Sequence, residues 1–549
     1  MKKIYVITYL LILFISHLKA EENKTIKKAS SNNKVTQTGC VMTVAYADLD
    51  IANVRAGILT GGDMWWDLNG PQYEVPKGGG NHSMFAASIW IGGIDGAGQI
   101  KAAAQTYRQA GNDYWAGPVD PATDDITAAN CLVYDRIWKL NKSDVADFVN
   151  TGTTTVQDII DYPGNSPYAS NTPLAPYFDY NGDGMYNYID GDYPYFDFGT
   201  GAPGCCDILH GDQSLWWVIN DVGNVKTETN SAPIGLEIQC QAYAFGPAYT
   251  QTVTTTFYQY IMINQSSSTY YNCYFGQWAD ADLGHYFDDF VRCDARKGVG
   301  FCYNGDLIDE IPDGYGPTPP AIGIDILHGP LADPGDGKDN NRNGTIDELN
   351  EDISMSKFVY YNNANDPIQG EPANYNDFFN YLRGFWKNGV QMTWSGTGYN
   401  PGSIDTCDFM FPGTTDADHI NSIPQDWTEE VTGNVPGDRR FIMSAGQFTM
   451  QPGEVNCITL AVIWARADSG DNHASIPVML EADSIIQLIF DSCFHNYFVN
   501  VDQLPQGNIT GIAPNPFTDK TTIHFNNPKG ENFSFKLFDI NGALIKNVL

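Results

Sequence analysis

From about residue 41 onward the chain is cut into short apolar runs by Gly, Asp, Asn and Pro, and this punctuation favours strands and turns over long helices. The clearest run, residues 251–264 (QTVTTTFYQYIMIN), is rich in Thr, Tyr, Phe and Ile, side chains that suit a pleated, half-buried surface. Residues 236–245 and 457–466 read the same way. Two helices are expected. Over 477–494, Val478, Ala482, Ile485, Ile489 and Cys493 fall on one face at spacings of three and four, with Ser475 and Pro477 as a start signal. Over 373–386, Tyr375, Phe378, Phe379, Leu382 and Trp386 form a second stripe. The expected fold is therefore mainly β: β-sandwich or jelly-roll-like modules with a few packed helices.

The ends of the chain differ from its middle. Lys2 and Lys3, the apolar run 4–15 and Leu18-Lys19-Ala20 read as a signal peptide over 1–20, followed by a polar, flexible leader over 21–40. No other stretch is apolar enough to span a bilayer, so no transmembrane segment is expected in the mature chain. The Asp/Gly-rich stretch near 179–206 is read as a border between β-rich modules at 41–204 and 205–498, the second carrying the helices. A linker at 499–510 and a small C-terminal module at 511–549 follow. Eleven Cys in an exported chain are expected to be mostly paired, with at least one left over, and the adjacent Cys205 and Cys206 to take separate partners.

The net charge is −35, with 65 acidic against 30 basic residues, which excludes a nucleic-acid-binding surface. The acids concentrate in loops. In Asp179-Tyr-Asn181-Gly-Asp183-Gly-Met185-Tyr-Asn187-Tyr-Ile-Asp190, oxygen side chains fall at positions 1, 3, 5, 9 and 12, with Gly at 6 and the Met185 carbonyl at 7. Calcium takes six to eight oxygens, and glycine at position 6 permits the turn that wraps them. A second stretch places Asp339, Asn341, Asn343, Thr345 and Asp347 in the same register, with fewer charged ligands. A third gathers Asp280, Asp282, Asp288, Asp289 and Asp294 within fifteen residues. So many carboxylates repel one another unless a metal ion, or Arg292 and Arg296, neutralises them. Calcium is the expected cofactor at all three, in a structural role.

Signatures of catalysis are lacking. No G-x-S-x-G elbow, HExxH or Walker loop occurs. His419 beside Asp416 and Asp418 reads as an exposed turn. The doublets Trp65-Trp66 and Trp216-Trp217 read as core, with one ring of each pair free to face outward on alternate sides of the pleat.

The first acidic loop resembles a dockerin-type calcium loop, which ends in Asp where an EF-hand has Glu. The second resembles the short Asp/Asn-rich metal-binding repeats of bacterial surface proteins. Near the C-terminus, Pro514-Asn515-Pro516-Phe517, the run Thr521-Thr-Ile523-His-Phe525 and Phe538-Asp539-Ile-Asn541-Gly542 resemble the type A sorting domain of type IX secretion cargo in the Bacteroidetes. The likeness covers about 40 residues and stops short of the family's full domain, as a partial β-sandwich. It implies export, contact with an outer-membrane translocon, and secretion or attachment at the cell surface. The main body is similar to large uncharacterised proteins bearing such tails, through segments such as 211–217 (GDQSLWW) and 276–284 (GQWADADLG).

The leading functional expectation is a secreted or surface β-rich protein that is adhesive or ligand-binding, its partners being glycans or surface polymers. The alternatives are a secreted polysaccharide-active hydrolase and a structural envelope or filament component. A deep pocket holding two carboxylates and lined by Trp would favour the hydrolase; buried Trp would favour the binding protein.

Overall fold

The computed structural model describes residues 39–494 apart from 109–110, 169–172, 199–204, 248–251, 362–364, 417–418 and 420–425, together with four strands beyond residue 508. The chain divides into two compact units, Met1–Cys493 and Phe494–Leu549.

Two large antiparallel sheets build the first unit. Across one, the main strands run Lys357–Tyr361, Arg439–Met450, Tyr270–Ala281 and Ala86–Asp95, and then shorter strands between Arg55–Leu59 and His82–Met84. Across the other they run Asp289–Asp294, Val299–Asn304, Ala321–His328, Val455–Ala465, Thr255–Asn264, Leu236–Ala244, Gln213–Asn220 and Trp115–Ala116. The sheets share one core, in which Trp65, Trp90, Tyr260, Phe275 and Trp278 are buried together. The Trp65 indole donates to the Tyr258 hydroxyl (2.8 Å), and the Tyr73 and Thr256 hydroxyls meet at 2.9 Å. This mainly β, sandwich-like architecture is the one expected from the turn-punctuated sequence.

Among the described residues six helices flank the sheets: α1 (Ala128–Tyr134), α2 (Lys142–Thr151), α3 (Gln157–Ile160), α4 (Tyr375–Leu382), α5 (Glu429–Thr432) and α6 (Ser475–Asp491). The Asn374 side chain caps α4 by accepting from the amides of Asn376 and Asp377. Helix α4 presses so close to the first sheet that a Cβ on Gly276 would lie 2.4 Å from Leu382 Cδ2. Gly323 plays the same part under α6, where a Cβ would lie 2.7 Å from Met479 Sδ.

Several expectations change. The border at 204/205 does not separate two modules, because Ala86–Asp95 pairs with Tyr270–Ala281 and Trp138–Asn141 pairs with Gln213–Asn220. Both sheets draw strands from either side of it. The buried stripe of α6 is Ile476, Met479, Asp483, Ile486, Ile489 and Phe490, one position round from the expected face, and Val478 is exposed. Trp65, Trp66, Trp216 and Trp217 are all buried. In the second doublet Trp217 faces the inter-sheet core, while Trp216 faces a second core made with α2, α3 and the segment around Tyr186. With both sheet faces covered, the pleat's alternation exposes neither ring.

Three disulfides join Cys40–Cys131, Cys205–Cys493 and Cys206–Cys457, so the adjacent pair does take separate partners. Six of the eleven cysteines are thus paired, and Cys240, Cys273, Cys293, Cys302 and Cys407 remain free thiols. All five lie in the inter-sheet core as small apolar side chains. Burial pushes their thiols upward, which suppresses thiolate chemistry.

Among the described residues no helix is long and apolar enough to cross a membrane. The signal peptide and all but the last two leader residues lie outside the described residues, as does most of the 499–510 linker. In the C-terminal unit, Ile509–Ala513 pairs antiparallel with Thr522–Phe525, and Lys536–Phe538 with Leu544–Asn547.

Candidate functional site

The two acidic loops, unrelated in their flanking sequence, wind in the same way. Asp179 Oδ1 accepts the amides of Gly182 (2.6 Å) and Asp183 (3.3 Å), and its Oδ2 accepts that of Gly184 (2.7 Å). Asn181 Oδ1 then accepts from Asp183 N (2.9 Å), and Asp183 Oδ1 from Met185 N (2.8 Å). In the second loop Asp339 Oδ1 accepts from Asn343 N (3.1 Å) and Oδ2 from Gly344 N (2.9 Å). Asn341 Oδ1 accepts from Asn343 N (3.1 Å), and Asn343 Oδ1 from Thr345 N (2.8 Å). Gly184 and Gly344 both take positive φ, 76° and 94°, at the sixth position. An oxygen that accepts one amide, as Asp179 Oδ2, Asn181 Oδ1, Asp183 Oδ1 and Asp339 Oδ2 do, keeps a second lone pair able to face a cation.

Beyond the sixth position the loops differ. Asn187 caps the short 3-10 helix Tyr188–Asp190, and its amide nitrogen donates to Asp190 (2.6 Å). The fully buried Asp192 closes the loop by accepting Tyr180 N (2.9 Å) and Asn187 N (2.8 Å). The second loop closes on Glu348, which accepts from the Asn341 and Asn343 side chains, while Asp347 accepts from Gly337 N (3.0 Å). Asp192 and Glu348 escaped the sequence reading. Asp192 lies past the twelfth position of the first loop and Glu348 at the tenth of the second, where the register places no ligand, and only the folded loop turns each one inward.

The third acidic stretch is dispersed. Asp280 sits directly across the strand pair from Arg440, whose Nη2 lies 3.4 Å away. Its Oδ2 also accepts the Tyr107 hydroxyl (2.6 Å). Burial opposes the Arg440 charge, but Asp280, Asp438 and Glu371 outweigh it and hold the guanidinium above its ordinary range. Arg440 therefore neutralises Asp280, while Arg296, one of the two arginines expected in this role, lies 3.9 Å from Asp294. Asp289, on the first residue of its strand, accepts Leu283 N (3.0 Å), and burial drives its carboxyl well upward. Asp294 caps a turn through the amides of Arg296 and Lys297.

Among the described residues, two groups bring one oxygen from each of three acids within 4.8 Å of one another: Asp280, Asp282 and Asp438, and Asp288, Asp306 and Glu310. Neither acidic loop contributes to them. Asp306 and Glu310 had no signal in the sequence beyond their acidity, because strand pairing is what carries them to Asp288.

A cleft of about 920 Å³ opens where α6, the strand Ala321–His328 and the second loop meet, with Asp325, Asp483, Lys297, His328, Asn341 and Asn343 among its walls. No Trp lines it. Asp325 and Asp483 are buried and in mutual hydrogen-bond contact. Burial and the neighbouring acid raise the Asp325 carboxyl, and Lys297 approaches Asp483 at 3.5 Å. Glycoside hydrolysis sets its two carboxyls about 5–9.5 Å apart, leaving room for substrate or water. Carboxyls in contact do not.

His419 is buried rather than exposed. Its Nδ1 lies 2.9 Å from Asp416 and its Nε2 3.1 Å from the Thr406 carbonyl, with the ring stacked on Trp394. This is a structural bracket.

No protein-family profile matches the chain, and no curated protein matches it.

Proposed function

We propose that this chain is a secreted or cell-surface β-rich protein, exported by the type IX system through its C-terminal segment, stabilised by calcium, and adhesive or ligand-binding. The observation that carries the calcium reading is the shared six-residue winding of the two acidic loops. Three disulfides are compatible with an extracellular setting and support the placement. The loops also present apolar side chains to solvent, Tyr180 and Ile189 on one, Ile346 and Leu349 on the other, which offers contact surface to glycans or surface polymers. The contacting carboxyls and the absence of Trp in the 920 Å³ cleft count against the hydrolase.

Thermal unfolding of the full chain in calcium and in EGTA tests the reading. Binding restricted to the folded state raises stability by about 2.7 kcal/mol at a hundredfold excess over Kd. An identical Tm in both buffers rejects structural calcium. A glycan array on the calcium-loaded protein then tests the adhesive role.

A further inference from the structure

The hairpin of Asp289–Asp294 and Val299–Asn304 brings three acids from separate segments to one place. Asp288 precedes its first strand, Asp306 follows its second, and Glu310 follows the short strand Ile308–Asp309. The Gly305 amide donates to the Asp288 carbonyl (2.5 Å), which fixes the hairpin end. Asp288 is 8% exposed, and its Oδ2 is held by the Asn304 side chain at 2.7 Å. Its Oδ1 is buried and meets no amide, ammonium or guanidinium donor, and the neighbouring carboxyl in contact with Asp288 is that of Glu310. A buried carboxylate oxygen ordinarily finds a donor, and an ionised acid neighbour supplies none, which leaves the place open to a cation. Asp306 and Glu310 are exposed, and among the described residues no Lys, Arg or His forms an ion pair with any of the three.

We propose that Asp288, Asp306 and Glu310 form a calcium site on the end of this hairpin. Calcium binds hard oxygens at about 2.3–2.6 Å, so ligand oxygens on opposite sides of one ion lie up to about 5 Å apart, matching the 4.8 Å grouping. Asp288 supplies the fixed ligand and the two exposed acids close over the ion, leaving its outer positions to water. Three carboxylates gathered this closely repel one another, and a divalent cation between them removes that repulsion. The site uses neither acidic loop, so it stands or falls apart from the loop reading.

The test counts bound calcium on the full chain at pH 7.5 by equilibrium dialysis. Asp306→Asn with Glu310→Gln alters only exposed side chains, and a cooperative melt in EGTA verifies folding. This variant is expected to bind one calcium fewer per chain. Asp179→Asn with Asp339→Asn is expected to keep the hairpin ion, whatever happens at the loops. An unchanged calcium count in the hairpin variant overturns the proposal. A loop variant identical to the unaltered chain would sink the loop reading and leave the hairpin site intact.

Discussion

The acidic loops and the acidic hairpin use the same side chain in opposite circumstances. At 179–192 and 339–348 each key carboxylate is half-exposed or anchored by backbone N–H groups. At 288–310 the carboxyls face one another, and Asp288 leaves one buried oxygen without a donor. The comparison teaches that acidity in a sequence does not by itself say whether a charge stabilises the fold. The donors that folding delivers decide it.

The sharpest contrast is in pH. Asp288 and the buried Glu228 are both pushed up to about 8, each by burial first. In the unfolded chain such groups titrate near 4. The folded state then holds extra protons between about pH 4 and 8, so stability is greatest below that window and falls as pH rises through it. Tm in EGTA is expected to drop by several degrees from pH 5 to pH 9. Glu228→Gln should recover on the order of 3 kcal/mol at pH 9 and little at pH 5. A flat profile would erase the contrast between hairpin and loops.

Next in size is the closure of the first loop. Asp192→Ala removes an acceptor shared by two backbone amides in a fully buried position. It should cost roughly 2–4 kcal/mol in urea unfolding without calcium. Smaller still is the difference between the two leading aspartates. Asp179 accepts three amides and Asp339 two, so Asp179→Ala should cost roughly 2 kcal/mol and Asp339→Ala roughly 1. Equal costs would mean that the loops rest on other contacts. Least of all, Glu348→Gln should leave Tm in EGTA unchanged, since the bonds Glu348 accepts from the side-chain amides of Asn341 and Asn343 can pass to a glutamine oxygen. A shift of a few degrees would show that the second loop is as firmly founded as the first.

What the sequence discloses follows from how local the cause is. Thr255–Asn264, Leu236–Ala244 and Val455–Ala465 were legible because β-branched and aromatic runs carry their own preference. The loop windings were legible because an Asp, two later Asx residues and a Gly bond within six residues. Helix α6 was located by Ser475 and Pro477, but its buried face takes in Asp483, which a stripe of apolar residues does not predict. In the fold that carboxyl turns inward to Asp325 and Lys297. The partners of Asp280 and Asp288 were hidden because Arg440, Asp306 and Glu310 reach them only through strand pairing and hairpin closure. No local pattern encodes which distant strands become neighbours.

The adjacent half-cystines at 205 and 206 have a mechanical consequence. Cys205 grips Cys493, just past α6, and Cys206 grips Cys457, in a strand flanked by neighbours on both sides. Tension applied to the polypeptide beyond residue 493 therefore runs across two covalent staples into the middle of a sheet, bypassing α6. A tethered molecule wired in this way would bear load through its strands, with the helix sheltered from the pull.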